Sequence, residues 1–136
     1  MSNARSRFIY SLEKKISILG WAFKKNTNDS RESASIYITY QLLKLGFKVN
    51  IYDPMVLREK ILNDISVLDQ KKGELDKNYL SQIKVYETLE SILSASKIIT
   101  ILTEWDEFQS IEKISSDYEI FDFRNILNKK TVKHRL

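Results

Sequence analysis

The stretch Lys15 to Arg31, KISILGWAFKKNTNDSR, opens with a short apolar run, Ile16-Ser17-Ile18-Leu19, and stops at Gly20. It continues as a polar loop carrying Lys24, Lys25, Asn26, Asn28, Asp29 and Arg31. A buried strand, a glycine exit and a cationic loop that feeds a helix is how α/β proteins build a seat for a phosphorylated ligand. The glycine lets the chain leave the strand end with no side chain in the way. Lys24 then offers a point charge, and Arg31 a bidentate fork, to a diphosphate beyond the strand's carboxyl end. The same pattern also describes an ordinary solvated basic loop. No G-x-G-x-x-G follows the strand, because the next glycine is Gly46.

Working outward from this stretch, Asp29-Ser30-Arg31-Glu32 has the spacing of a capping box. It predicts a helix over 31–45 with Ile36, Tyr40 and Leu43 facing inward and Gly46 just past the end. FKVNIY, residues 47–52, alternates and closes on Asp53-Pro54, a second strand. Asp53 fits either a turn or, as in dinucleotide-binding folds, a hold on ribose hydroxyls. Its distance from Gly20 exceeds the ~20 residues of that fingerprint, which favours the turn. A short helix is expected over 56–62, and residues 63–81, polar and weakly periodic, read as a surface insertion. Short strands are expected at 83–86 and 119–121 and helices at 88–94 and 105–114. KIITIL, 97–102, is a continuous apolar run of the kind found in central parallel strands covered on both faces.

Upstream, Phe8, Ile9 and Leu12 make 5–13 read as the end of an amphipathic helix. Strands alternating with helices argue a doubly wound, mostly parallel Rossmann-like sheet of about five strands with helices on both faces. In such sheets the ligand sits beyond the strands' carboxyl ends. Three polar clusters are expected there: the Lys24–Arg31 loop, Thr103–Asp106, and Asp122–Asn125. Arg124 reads either as a fork to sugar or phosphate or as the partner of Asp122. Glu104 and Asp106 read as carboxylates favouring the first turn of a helix, with Trp105 anchored on the core.

Composition narrows the chemistry. The 136 residues are 43% hydrophobic and 29% charged, as in an ordinary folded domain. There is no cysteine, so the chain has no disulfide, no thiolate metal site and no cysteine nucleophile, and its one histidine, His134, lies in a basic end. No run approaches the ~20 apolar residues of a membrane span, and cytoplasmic residence is expected. The net charge of +4 is concentrated in Lys129, Lys130, Lys133 and Arg135. That end reads as a solvated tail, and no nucleic-acid partner is expected.

KISILGWAFKKNTNDSRESAS, IYDPMVLRE, ILTEWDEF and IFDFRNIL together resemble the C-terminal, UDP-binding domain of the UDP-glucose 6-dehydrogenases, within the UDP-glucose/GDP-mannose dehydrogenase family. The likeness covers residues 14 to 128, and the TEW triplet favours the UDP-glucose branch. The resemblance implies three parts: the tail of an inter-domain helix over 1–13, the UDP-binding domain over 14–128, and a basic C-terminal tail over 129–136. It also implies that the complete enzyme oxidises UDP-glucose to UDP-glucuronate in two NAD-linked steps. NAD and a cysteine nucleophile would belong to the N-terminal and central domains, which this chain does not contain. Phe23, Lys24 and Arg124 would contact the UDP-sugar, and Arg31 would reach toward the NAD of the other domain. Position 123 departs from the pattern, with Phe where a small residue is usual.

The chain alone is therefore expected to hold a UDP-sugar, to carry no catalytic residue, metal or cofactor of its own, and to lack dehydrogenase activity; an oligomer is compatible with this. The alternatives are a stand-alone, non-catalytic UDP-sugar or nucleotide-binding module, and a Rossmann domain that holds NAD itself through Asp53.

Overall fold

The computed structural model describes residues 14–128 and the backbone of 134–135. The helix expected over 5–13 lies outside them. The core is a six-stranded sheet of β1 (Lys15–Leu19), β2 (Lys48–Tyr52), β3 (Ile83–Val85), β4 (Ile98–Ile101), β5 (Glu119–Asp122) and β6 (His134–Arg135). Their spatial order is β3-β2-β1-β4-β5-β6, and every neighbouring pair is parallel. This is the order of a dinucleotide-type fold, with the direction of winding reversing between β1 and β4. The sequence reading had no strand at 134–135, inside the segment taken as a solvated tail.

Burial explains the strands. All four residues of β4 are buried, as are Ile18 and Leu19 of β1 and Val49 and Ile51 of β2. These side chains are mostly β-branched and fill a pleated surface well. Register joins Ser17, Ile18 and Leu19 to Ile99, Thr100 and Ile101, so β1 and β4 end level with one another. The crevice at the winding reversal is thereby set between the loops that follow them.

The helices are α1 (Ala34–Lys44), α2 (Arg58–Lys72) and α3 (Leu89–Leu93), with a 3-10 run over Asp106–Asp117. Three expectations need correction. The cap of α1 is Ser33, which accepts from the Ser35 N–H, and not Asp29. Glu32 sits at φ 59, a left-handed conformation, so it cannot belong to a first helical turn that reaches back to Asp29. At the other end the expectation holds: Phe47 N donates to Leu42 O and Gly46 N to Leu43 O, a Schellman closure with Gly46 at φ 86.

Second, the short helix at 56–62 is in fact the first part of a 15-residue α2 that runs through most of the supposed insertion and stops at Gly73, φ 64. Its inward stripe is narrow, with Ile61 and Ile65 buried and Leu68 packed beside them, and most of its remaining surface is polar. Third, the helix expected at 105–114 is a 3-10 run that buries Phe108 and Ile111. No helix among the described residues is long and apolar enough to cross a membrane.

Candidate functional site

The 12 residues between Gly20 and Ser33 leave the end of β1 and return to α1, and they are fastened from three directions. Asp53, at the end of β2, is buried, and its Oδ2 accepts from Trp21 N at 2.6 Å and Ala22 N at 2.9 Å. The same oxygen accepts from the indole N–H of Trp105 at 3.0 Å, which ties the loop after β4 to the same point. Oδ1 accepts from Met55 N and Val56 N. From the second direction, Thr103 donates its hydroxyl to Ala22 O at 2.6 Å. From the third, Asp64 of α2 accepts at one oxygen from the Trp21 indole N–H at 2.9 Å and the Ser30 hydroxyl at 2.6 Å.

These bonds decide the reading of Asp53. Both its oxygens are taken by the protein's own donors, which leaves neither for a ribose hydroxyl. The chain therefore offers no seat for a dinucleotide of its own at this point, and the reading in which it holds NAD through Asp53 fails on geometry.

The loop after β5 joins the same end of the sheet. Asp122, fully buried, accepts from Arg124 N at 3.1 Å and Leu127 N at 2.9 Å, which bends the chain after the strand. The Arg124 guanidinium does not turn back on Asp122; it pairs with Glu104 at 3.0 Å. Two residues on from Glu104, Asp106 pairs with Lys25 at 3.1 Å. The turn Glu104-Trp105-Asp106 is thus pinned from both sides, by the β1 loop and by the β5 loop. Phe123 stacks edge-on against Phe121, centroids 6.3 Å apart, and packs on the core.

Lys24 and Arg124 stand on the two loops that flank the Glu104–Asp106 turn, Lys24 with its ammonium 5.4 Å from the centre of the Phe23 ring. Phe23 in turn lines, with Arg31, a cavity of about 560 Å³ over α1 and α2, whose lining also includes Tyr37, Asp64 and Lys71. Arg31 is not drawn in beside Lys24. Its side chain is 85% exposed and forms a two-point pair with Asp29, at 3.1 Å from Nε and 2.9 Å from Nη2. The sequence reading missed Asp64, Ser30 and Thr103 as the groups that hold this loop. Asp64 lay in the segment taken for an insertion, and no local pattern reveals a contact 43 residues away.

The Asp29–Arg31 pair has a measurable signature. The guanidinium and the backbone N–H of Arg31 hold the Asp29 carboxyl down from its ordinary 3.8 to about 2. A depressed carboxylate contributes its stabilisation in full above the ordinary value and loses it as pH falls through the lower one. The pair should therefore stay closed down to about pH 3 and open near pH 2. Carboxyl NMR should show Asp29 titrating near 2, and Arg31→Gln, which keeps the backbone N–H bond, should raise it part of the way toward 3.8; an unchanged titration in that variant would contradict the pairing. The described residues contain no cluster of three or more His, Cys, Asp or Glu able to hold a metal ion.

With the geometry in hand, comparison with known proteins is specific. Residues 17–129 match the family model described as UDP-glucose/GDP-mannose dehydrogenase family, UDP binding domain. The UDP-glucose 6-dehydrogenase of Gallus gallus is 38% identical over 135 residues, covering 90% of this chain and 26% of that protein. UDP-glucose 6-dehydrogenase 1 of Arabidopsis thaliana is 36% identical, covering 85% of this chain and 27% of that protein. The chain thus spans about a quarter of the length of these relatives.

Among solved structures, a UDP-glucose dehydrogenase from Pyrobaculum islandicum matches 98% of this chain and 29% of its own, with TM-score 0.65 and 21% identity. A GDP-mannose dehydrogenase from Pseudomonas aeruginosa matches 98% of this chain and 31% of its own, with TM-score 0.64 and 17% identity. These two share the fold.

Proposed function

The chain belongs to the UDP-glucose/GDP-mannose dehydrogenase family, as its UDP-binding domain, and from that premise we propose that it holds the uridine diphosphate end of a nucleotide sugar. The observation that carries the reading is the convergence of the β1 and β5 loops on the Glu104–Asp106 turn, paired on one side by Lys25, the neighbour of Lys24 in the chain, and on the other by Arg124. Two cations at the carboxyl end of a parallel sheet suit a diphosphate. Phe23, 41% exposed beside Lys24, offers its ring and backbone to the sugar. Arg124 must share or leave Glu104 to reach a ligand, and an exposed pair of this kind costs little to open.

In this reading residues 14–128 are the UDP-sugar unit, 1–13 belong to an inter-domain helix, and 129–136 form a basic tail. A longer, cytoplasmic protein supplies the remaining domains, and NAD binds there, with Arg31 turned outward toward it. That longer protein would oxidise UDP-glucose to UDP-glucuronate. The present chain, without a cysteine nucleophile, would only bind.

Lys24→Ala is the direct test. Lys24 is exposed, so the variant should fold normally and lose about 1.5–3 kcal/mol of UDP binding, the worth of a charge-assisted contact. That is a roughly 10- to 150-fold rise in Kd by calorimetry. An unchanged Kd would remove Lys24 from the site.

A further inference from the structure

We propose that Asp64 is the positioning residue of the ligand loop, acting from α2 to fix where Phe23 and Lys24 stand; this rests on the UDP reading of that loop. One carboxylate oxygen receives both donors, the Trp21 indole N–H at 2.9 Å and the Ser30 hydroxyl at 2.6 Å. Trp21 and Ser30 are the two feet of the segment whose span carries Phe23, Lys24 and Lys25. Both feet are buried, Trp21 to 0% and Ser30 to 1% exposure, so water cannot take over as acceptor if the carboxylate is lost.

The span itself has little other support. Between the feet, Phe23 N donates to Asp29 O at 2.9 Å, and Lys25 reaches Asp106 across the surface. Lys24, Asn26 and Asn28 are exposed, and Asn26 sits at φ 63. Asp53 and Thr103 hold only the first foot, at Trp21 and Ala22. Asp64 is thus the group whose side chain joins the first foot to the second. The apolar docking of α2 comes from Ile61 and Ile65, with Leu68 packed beside them. Asp64 also lines the cavity beside Phe23, so its loss would free that ring as well as the loop.

The test uses Asp64→Ala, which removes the acceptor from both feet at once. Two readouts are taken on the 136-residue chain: amide hydrogen exchange without ligand, and UDP titration alone and in the Lys24→Ala background. We expect faster exchange confined to 22–30 and a roughly tenfold rise in the UDP Kd. A residue that acts through Lys24 should change the Kd of the Lys24→Ala chain only about twofold or less. Ser30→Ala removes one of the two bonds at a smaller risk to folding and should give the same pattern at reduced size.

Unchanged exchange in both variants would overturn the proposal. So would faster exchange with unchanged UDP affinity, or Asp64 and Lys24 effects that add in full. Failure of the unaltered chain to bind UDP would instead sink the UDP reading, and the positioning role with it, whatever the exchange shows.

Discussion

Asp53→Ala is expected to remove about 4–6 kcal/mol of folding stability, enough to leave much of the chain unfolded at room temperature. Five donors converge on this carboxylate: the N–H groups of Trp21, Ala22, Met55 and Val56, and the Trp105 indole. Trp21, Ala22, Val56 and Trp105 are themselves buried, so alanine would strand their donors in a dry interior. Each such group costs about 1–3 kcal/mol when left unmade, and the sum is discounted because the site can relax. Asp53→Asn keeps the shape but turns an NH2 toward donors, and should cost about 2–3 kcal/mol. Urea unfolding followed by circular dichroism measures both. A loss under about 1 kcal/mol for the alanine variant would mean that the carboxylate does not hold the three loops together.

The second large effect is expected at Gly20, where alanine should cost about 3–5 kcal/mol. A methyl group there would lie 2.3 Å from Thr103 Oγ1, 2.4 Å from its Cβ and 2.6 Å from its backbone nitrogen. It would also sit at φ +102, where side chains are strained. Because the clash involves Thr103 backbone and Cβ, Thr103→Ala should fail to rescue Gly20→Ala. Rescue in a thermal melt of the double variant would show that only the hydroxyl stands in the way. The closeness is what brings the β1 and β4 loops together at the crevice, so the same contact that demands glycine also shapes the proposed site.

These two positions show why part of the fold was readable in advance. Gly20 announced itself as the stop after an apolar run, and the alternation of strands and helices follows from periodicity alone. KIITIL reads as a covered central strand, and Ile98–Ile101 is one. The errors have a common cause: they lie where tertiary contacts outvote local pattern. α2 shows a weak apolar period because only Ile61 and Ile65 are fully buried, so a long helix looked like a short one with a polar insertion. The cap of α1 moved from Asp29 to Ser33 because Arg31 captured Asp29 and the backbone turned left-handed at Glu32.

The proposed site takes its cations from the sequence reading, while the groups that support them were not legible there. Lys24, Arg31 and Arg124 stand out as charged residues just past strand ends. The carboxylates that hold Arg124 and the loop carrying Lys24, namely Glu104, Asp106 and Asp64, come from a loop and a helix distant in sequence. Arg124 reads in sequence either as a fork to the ligand or as the partner of Asp122, and the fold pairs it with Glu104. Asp122 spends itself on backbone N–H groups instead.

Parallel calorimetric titration of the 136-residue chain with UDP and with NAD tests the central claim most directly. The account predicts saturable binding of UDP, and no heat from NAD, because the chain's own acidic residue at the end of β2 is already fully bonded. Binding of NAD with no response to UDP would contradict it.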